Sequence, residues 1–594
     1  MNVQKFLLIG MLGIFLIACQ AAEPDDIAIE STEPPIEPST AAPTEDLPTE
    51  PPPNTPIPTN TPKPTATPLP TATPDPLKVG TNDYPWWNDA VFYEVFVRSF
   101  YNSDGDGVGD IPGLIEKLDY INDGDPLTTD DLGATGIWLM PIAVSPSYHG
   151  YDVTDYYTVD PEYGTNEDFK RLMDEAHARG IRVIVDLVMN HSSREHPWFE
   201  ASQDPVSEFR DWYVWEDADP GYRGPDGQKV WIRGDEGYYY AVFWEGMPDL
   251  NYTNPDVTAE MYTTAEYWLT EMGVDGFRLD AIKHMIEDGQ AQENTRLTHN
   301  WMEEFFTFYK SVDPDALTVG EAWTGTQQVV DYTGDEVDIA FQFDLALDII
   351  NSAGSGLAPI YQDTQQLIVD SFPPNQYATF ITNHDQNRVI DQFRGDRAKA
   401  RLAASILLTS PGVPFVYYGE EIGMSGIKPD EDIRRPMQWT SENDQVGFTT
   451  GEPWRAPAED FPNVSVALQE DDPDSLLNHY RNLIHLRNQH EALRVGDWLP
   501  VDAGSPRVYA FLRHTPNETI LVVMNMNAKN IIEADDYALN LESGPLDRDL
   551  SAVSLFGTEP MRAPTVNDSG GFTDYTPIDG IQPQSLHIIQ LSKQ

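Results

Sequence analysis

Cysteine occurs once among 594 residues, so no disulfide can form within the chain and any covalent task for a thiol falls to Cys19. Basic residues are also scarce: 36 Lys and Arg stand against 97 Asp and Glu, for a formal net charge of −61. A surface of that sign excludes nucleic acid and anionic lipid headgroups as partners and favours high solubility. No apolar run is comfortably long enough to span a bilayer. The run Phe6–Ala18 behind Lys5 is too short to cross and has the layout of an export signal. From Gln20 to about Asp83 the chain is Pro, Thr and Glu, with Pro-Thr-Ala-Thr-Pro repeated at 64–68 and 70–74. No core can form from such a composition, which predicts an extended, semi-rigid tether over 20–83.

The signal ends Leu16-Ile17-Ala18-Cys19, which resembles the bacterial lipoprotein signal. That resemblance implies acylation of Cys19, a membrane as partner through an N-terminal lipid anchor, and an extracytoplasmic location on the cell envelope. Residues 1–19 are then the signal peptide and its lipidated Cys.

What remains is long enough for two to four domains by the usual prior. From Tyr84 strand-like and helix-like stretches alternate for about four hundred residues, the pattern of an α/β fold with a parallel sheet. Strand candidates are 91–97, 136–140, 181–188, 274–280, 317–321, 337–343, 377–382 and 413–418. Eight is the count of a closed (β/α)8 TIM barrel, and runs such as Ile181-Arg182-Val183-Ile184-Val185 have the near-continuous apolar character of strands buried on both faces. Thr165-Asn166-Glu167-Asp168 is a capping box, and Gly180 closes the helix it opens. The helix-like stretch 476–488 is expected to close the barrel. Beyond about Pro500, segments such as 508–513 and 519–525 predict an antiparallel β-domain over 498–594.

Chemistry is expected where barrel strands end at their carboxyl side. Val274-Asp-Gly-Phe-Arg-Leu-Asp280 puts Arg278 and Asp280 two residues apart, on one face of a strand, where a guanidinium keeps a carboxylate ionised. An anion so held suits attack on a carbon carrying developing positive charge. Asp186-Leu-Val-Met-Asn190-His191 ends the third strand, Val319-Gly-Glu321 the fifth, and Asn383-His384-Asp385-Gln-Asn-Arg388 follows the seventh. Acids and imidazoles thus gather at one rim. After the first strand, Asn102, Asp104, Asp106, the Val108 carbonyl and Asp110, with Gly107 for the turn, match five of the six ligand positions of a calcium loop. The twelfth position is Gly113 rather than Glu, and a strand precedes the loop, so it is no EF-hand.

These four strand-end stretches, in this order and spacing, resemble the signature regions of the α-amylase superfamily, glycoside hydrolase family thirteen, over roughly Tyr84 to the carboxyl terminus. The resemblance implies Asp280 as nucleophile, Glu321 as general acid/base and Asp385 as the carboxylate that holds the sugar in its reactive form. It implies Arg278, His191 and His384 around the glucose ring, Asp186 beside Arg278, Tyr151 as a stacking platform, Arg388 as a further substrate contact, and Lys283 and His284 beyond the cleaved bond. Residues 84–191 and 253–497 then make the catalytic barrel, and 192–252, with Trp198, Trp212, Trp215, Trp231 and Trp244, the inserted B domain; local core packing is the simpler use of any single one of these tryptophans. Met247-Pro-Asp-Leu-Asn251 resembles the variant found in the group between oligo-1,6-glucosidases and neopullulanases, and the 434–439 and 447–451 stretches resemble the oligo-1,6-glucosidase side of the family. A second calcium in relatives maps to Asn190, Asp249 and the His284 carbonyl.

The physics of a retaining double displacement fits the same residues: Glu321 must carry a proton, which two neighbouring anions favour, and its carboxyl must stand about 5 to 5.5 Å from that of Asp280. The expected protein is a lipid-anchored, monomeric, calcium-binding enzyme that hydrolyses internal α-1,4 bonds of starch-like α-glucans. An exo-acting α-glucosidase, a cyclomaltodextrinase-like enzyme or a glucosyltransferase on short maltooligosaccharides is the alternative, and a non-catalytic glucan-binding lipoprotein the third reading.

Overall fold

The computed structural model describes residues 80–557 and 561–593. The signal peptide, Cys19 and nearly all of the tether lie outside the described residues. Packing begins slightly ahead of the expected Tyr84 boundary. Thr81 donates its N–H to Asp89 (2.8 Å) and accepts from Arg494 (3.0 Å), so the turn Thr81–Asp83 is tied to the folded body. Among the described residues no helix is long and apolar enough to cross a membrane.

Eight parallel strands form the barrel: β1 (Phe92–Val95), β2 (Gly136–Leu139), β3 (Arg182–Leu187), β4 (Gly276–Leu279), β5 (Leu317–Gly320), β6 (Ile339–Ala340), β7 (Ala378–Thr379) and β8 (Val413–Tyr417). Each lies within its expected span but is shorter, because the flanking residues already turn into loops or helices. The sheet order is β6-β5-β4-β3-β2-β1-β8-β7, and a parallel bridge from Phe341 to Ala378 closes the ring. All of β1, β2, β3, β4, β5 and β8 is buried, as apolar runs covered on both faces require.

Residues alternate between the helix shell and the barrel interior. Inside, Phe92 stacks on Phe415 at 4.6 Å, and Trp138 and Phe341 pack 5.4 Å apart, an aromatic plug at the foot of the barrel. Above it, toward the carboxyl ends of the strands, the inward positions become charged: Glu94 on β1, Asp186 on β3 and Arg278 on β4, with Asp186 directly opposite Arg278. The predicted capping box is formed, Thr165 and Asp168 bonding reciprocally at the start of helix Asn166–Ala178, and Leu476–Gln489 packs on Arg397–Thr409. Between β3 and β4, residues 192–252 carry a three-stranded sheet of 215–216, 231–233 and 238–240. The C-terminal sheet is antiparallel, of strands 497–500, 508–514, 519–525, 550–556 and 586–593.

β1 pairs with β8, and the loops above them are sewn together as well. Asn102 N–H donates to Phe448 O (2.9 Å), Trp454 N–H to Gly107 O (2.9 Å) and Met437 N–H to Ser99 O (2.8 Å). Gly107 has φ +97°, and a side chain there would collide with the Glu452 carbonyl.

Candidate active site

Arg278 is the hub of the charged layer. It is 1% exposed, and its Nη1 donates to Asp186 Oδ1 (2.8 Å) and Asp280 Oδ1 (2.6 Å) while Nη2 pairs with Glu321 Oε2 (2.6 Å). The guanidinium lies over the Trp138 ring at 5.3 Å, which joins the charged layer to the aromatic plug. Past Asp280 the chain enters the left-handed region at Ala281 (φ +51°), uncommon for a residue with a Cβ, and the Ala281 N–H donates to Glu321 Oε2 at 3.1 Å. Asp385 is gripped from two sides, by Arg434 Nη2 (2.8 Å) and His384 Nε2 (3.3 Å). Tyr151 OH donates to Asp186 Oδ2 (3.0 Å) and lies 2.7 Å from His384 Nε2, with its ring stacked on the imidazole.

Asp280, Glu321 and Asp385 open into one pocket of about 380 Å³, walled by His149, Tyr151, His191, Met247, Asp430 and Arg434. Phe243, Trp244 and Trp323 stand at its edge, each more than two-fifths exposed, with Trp323 lying flat on Phe343 at 4.5 Å. A larger cavity between 211–253 and 285–290 contains none of the three carboxylates.

The electrostatics divide the acids. Burial raises the Glu321 carboxyl; Arg278 opposes that, while Asp280 and Asp385 add to it. Like-charge repulsion, the cause expected from the sequence, is therefore second to desolvation. Asp280 is also raised, because burial outweighs the Arg278 charge that was expected to dominate. Asp186 is pushed up to about 7 by the same burial. Asp385 goes the other way: burial works against ionisation, but His384 and Arg434 hold it well below the usual carboxylate range. Burial drives His191 down to about 4, and its Nε2–H donates to the Tyr151 carbonyl at 3.0 Å.

Other expected site residues lie further off. Arg388 is 1% exposed and turned into the protein, donating to the carbonyls of Tyr418 (2.6 Å) and Ile433 (2.9 Å). It braces loops behind the pocket through Nε and Nη1, while Nη2 is buried without a hydrogen-bond partner. Lys283 reaches Glu293 (2.9 Å) and the Trp323 carbonyl (3.0 Å), beside the pocket edge. His284 is buried against Phe243 and bonds Gln292 O through Nδ1 (2.8 Å). Of the five tryptophans of 192–252, Trp244 alone lines the pocket; Trp198, Trp212, Trp215 and Trp231 pack with neighbouring aromatic rings.

In the 102–110 loop, Oδ1 of Asp104, Oδ1 of Asp106 and Oδ2 of Asp110 lie 2.8, 3.2 and 3.2 Å from the Asn102 Nδ2. Three carboxylate oxygens converging on one donor form a hard-oxygen set that would suit calcium if the Asn102 amide turned its oxygen, now bonded to the Gly107 N–H and the Thr449 hydroxyl, toward them. As the side chains stand, no group of three His, Cys, Asp or Glu among the described residues is arranged to enclose an ion. At the other expected metal position, Asn190 Nδ2 donates to Asp249 Oδ2 (3.0 Å) and Val242 N–H to Oδ1 (2.8 Å). The Asn190 Oδ1 is buried without a partner there.

Sequence reasoning did not find Glu94, Asp430, His149 or the pairing of Arg434 with Asp385. Glu94 left one signal, a lone acid amid Phe92-Tyr93 and Val95.

The chain matches the alpha-amylase catalytic-domain family over residues 94–496. It is 42% identical to an alpha-amylase of Dictyoglomus thermophilum over 75% of this chain and 86% of that protein. It is 35% identical to a trehalose synthase/amylase of Mycolicibacterium smegmatis over 73% and 82%. Among solved structures, an alpha-amylase from H. orenii superimposes with TM-score 0.73 at 42% identity, covering 85% of this chain and 99% of that one.

Proposed function

Because the chain belongs to the alpha-amylase family of glycoside hydrolases, we propose that it cleaves internal α-1,4 bonds of starch and maltodextrins with retention, through Asp280, Glu321 and Asp385. One observation carries the reading: a single guanidinium fork holds both carboxyl groups, Asp280 Oδ1 and Glu321 Oε2 each 2.6 Å from a nitrogen of Arg278. A shared cation draws the two carboxyl groups toward each other, the arrangement that a nucleophile and its acid need in a retaining double displacement.

Asp280 attacks the anomeric carbon as the glycosidic oxygen takes the Glu321 proton and departs. Glu321 Oε2 accepts from both Arg278 and the Ala281 N–H, which leaves Oε1 to carry that proton. Glu321, now ionised, takes a proton from water, whose oxygen attacks the same carbon and frees Asp280 with its charge restored. Asp385, kept anionic by His384 and Arg434, accepts sugar hydroxyls throughout. Calcium on the 102–110 loop supplies no step; Asn102, Asp104, Asp106, the Val108 carbonyl and Asp110 would hold it to fix the β1 loop.

Phe243, Trp244 and Trp323 at the rim support glucan chains longer than the pocket itself, since exposed ring faces suit sugar rings. Relatives named for trehalose synthesis favour transfer to a sugar acceptor as the second reading. Products from soluble starch followed over time decide between them. Mixed oligosaccharides in the first minutes are expected; glucose alone, or rearranged disaccharides without net hydrolysis, would overturn endo cleavage.

A further inference from the structure

We propose that Glu94 is a positioning residue that keeps His384 doubly protonated, so that Nδ1 donates to Glu94 while Nε2 carries its proton toward Asp385, the carboxylate of the sugar site; this rests on the hydrolase reading above. Glu94 faces the barrel interior, 1% exposed, and its carboxylate meets His384 Nδ1 at 2.6 Å. Among the ion pairs of the described residues, His384 is its one cationic partner. A carboxylate so deeply buried is stable as an anion only against a charge. The other ring nitrogen, Nε2, lies 3.3 Å from Asp385 Oδ2 and 2.7 Å from Tyr151 OH. A neutral imidazole donates from one nitrogen only, yet a carboxylate oxygen stands at each. The imidazolium satisfies both.

The groups packed around the ring agree. Asp280 from β4 and, once ionised, Asp186 from β3 favour its charge, and Arg434 donates to its carbonyl (2.9 Å). Arg278 is engaged with Asp186, Asp280 and Glu321, and the imidazole is packed between the stacked Tyr151 ring and a T-shaped contact with Trp138. Burial lowers the His384 value, but Asp385 and Glu94 outweigh it and raise it to about 9. Glu94, which no sugar reaches, thus acts through His384 to keep Asp385 charged.

The test is Glu94→Gln, which preserves shape and removes the charge. The ratio of kcat/KM between variant and wild type on a maltooligosaccharide, measured from pH 5.5 to 8.5, cancels the ionisation of Glu321 common to both. It is expected within several-fold of unity at pH 5.5 and to fall tenfold per unit above the ordinary histidine value of about 6.5, reaching about a hundredfold at pH 8.5. A loss equal at every pH would make Glu94 merely structural. Neutron diffraction of the wild type at pH 7.5 decides independently of activity: deuterons on both nitrogens of His384 are expected, and a singly protonated ring overturns the proposal. A wild type without activity on α-glucans would instead sink the hydrolase reading and leave the neutron result standing.

Discussion

Arg278→Met keeps the buried stem of the hub and removes its charge, leaving Asp186, Asp280 and Glu321 without the cation they share. Stripping one partner from a buried ion pair costs about 3–5 kcal/mol. Here protonation limits the damage, because each abandoned carboxyl can take up a proton at about 1.4 kcal/mol for every pH unit between its folded value and the medium. All three groups are already raised by burial in the wild type, and losing Arg278 raises them further. Unfolded carboxyls ionise near about 4, so between pH 5 and 8 the folded variant binds protons that the unfolded chain has released. Stability then falls as pH rises. With roughly 2 cal/mol/K per residue over about 500 folded residues, 1 kcal/mol shifts Tm by about 1 °C. Calorimetry should therefore give a Tm deficit of about 3–5 °C at pH 8, shrinking to about half that at pH 5. A deficit independent of pH, or one that narrows as pH rises, would refute the shared-charge account.

Asp280→Asn should lower kcat on the order of 10⁴-fold or more while leaving Tm within a degree or two, since the amide fills the same volume but cannot form the glycosyl ester; activity near wild type in a preparation free of deamidation removes the assignment. Asp106→Ala should cut the Tm gain from calcium, worth about 2.7 kcal/mol at a hundredfold excess over Kd, with turnover at moderate temperature little changed. An unchanged calcium response would make the 102–110 loop an acidic turn. Cys19→Ser should move the protein from the detergent phase to the aqueous phase or trap a precursor, and equal partitioning of both forms would discard the lipid anchor.

The barrel was legible because its strands are short apolar runs punctuated by Gly and polar turns, a local pattern that survives without tertiary information. The four carboxyl-end motifs were legible for a similar reason: Arg278 and Asp280, or His384 and Asp385, are neighbours in the chain before they are neighbours in the site. Glu94 was not, because its meaning depends on His384, 290 positions away. Arg388 stands in a strand-end motif and yet turns inward, since the Tyr418 and Ile433 carbonyls that claim it are placed by the loops after β8. Burial itself was the least visible quantity. The sequence supplies the charges around Glu321 but not the depth at which they sit, and depth proves the largest influence on its proton.

The pairing of β1 with β8, and the stitching of the 99–107 segment to 437–454, joins parts of the chain made far apart in time. At about 5–20 residues per second, tens of seconds pass between the appearance of Phe92 and that of Phe415 on a ribosome. Through that interval β1 can pair with β2, but its other edge offers unanswered N–H and C=O groups, a template for wrong partners. Contacts of such long sequence separation also slow the search for the folded state. A nascent chain halted before Val413 can neither close the ring nor dock the Asn102 loop, so the barrel becomes a working vessel only when nearly all of it has been synthesised.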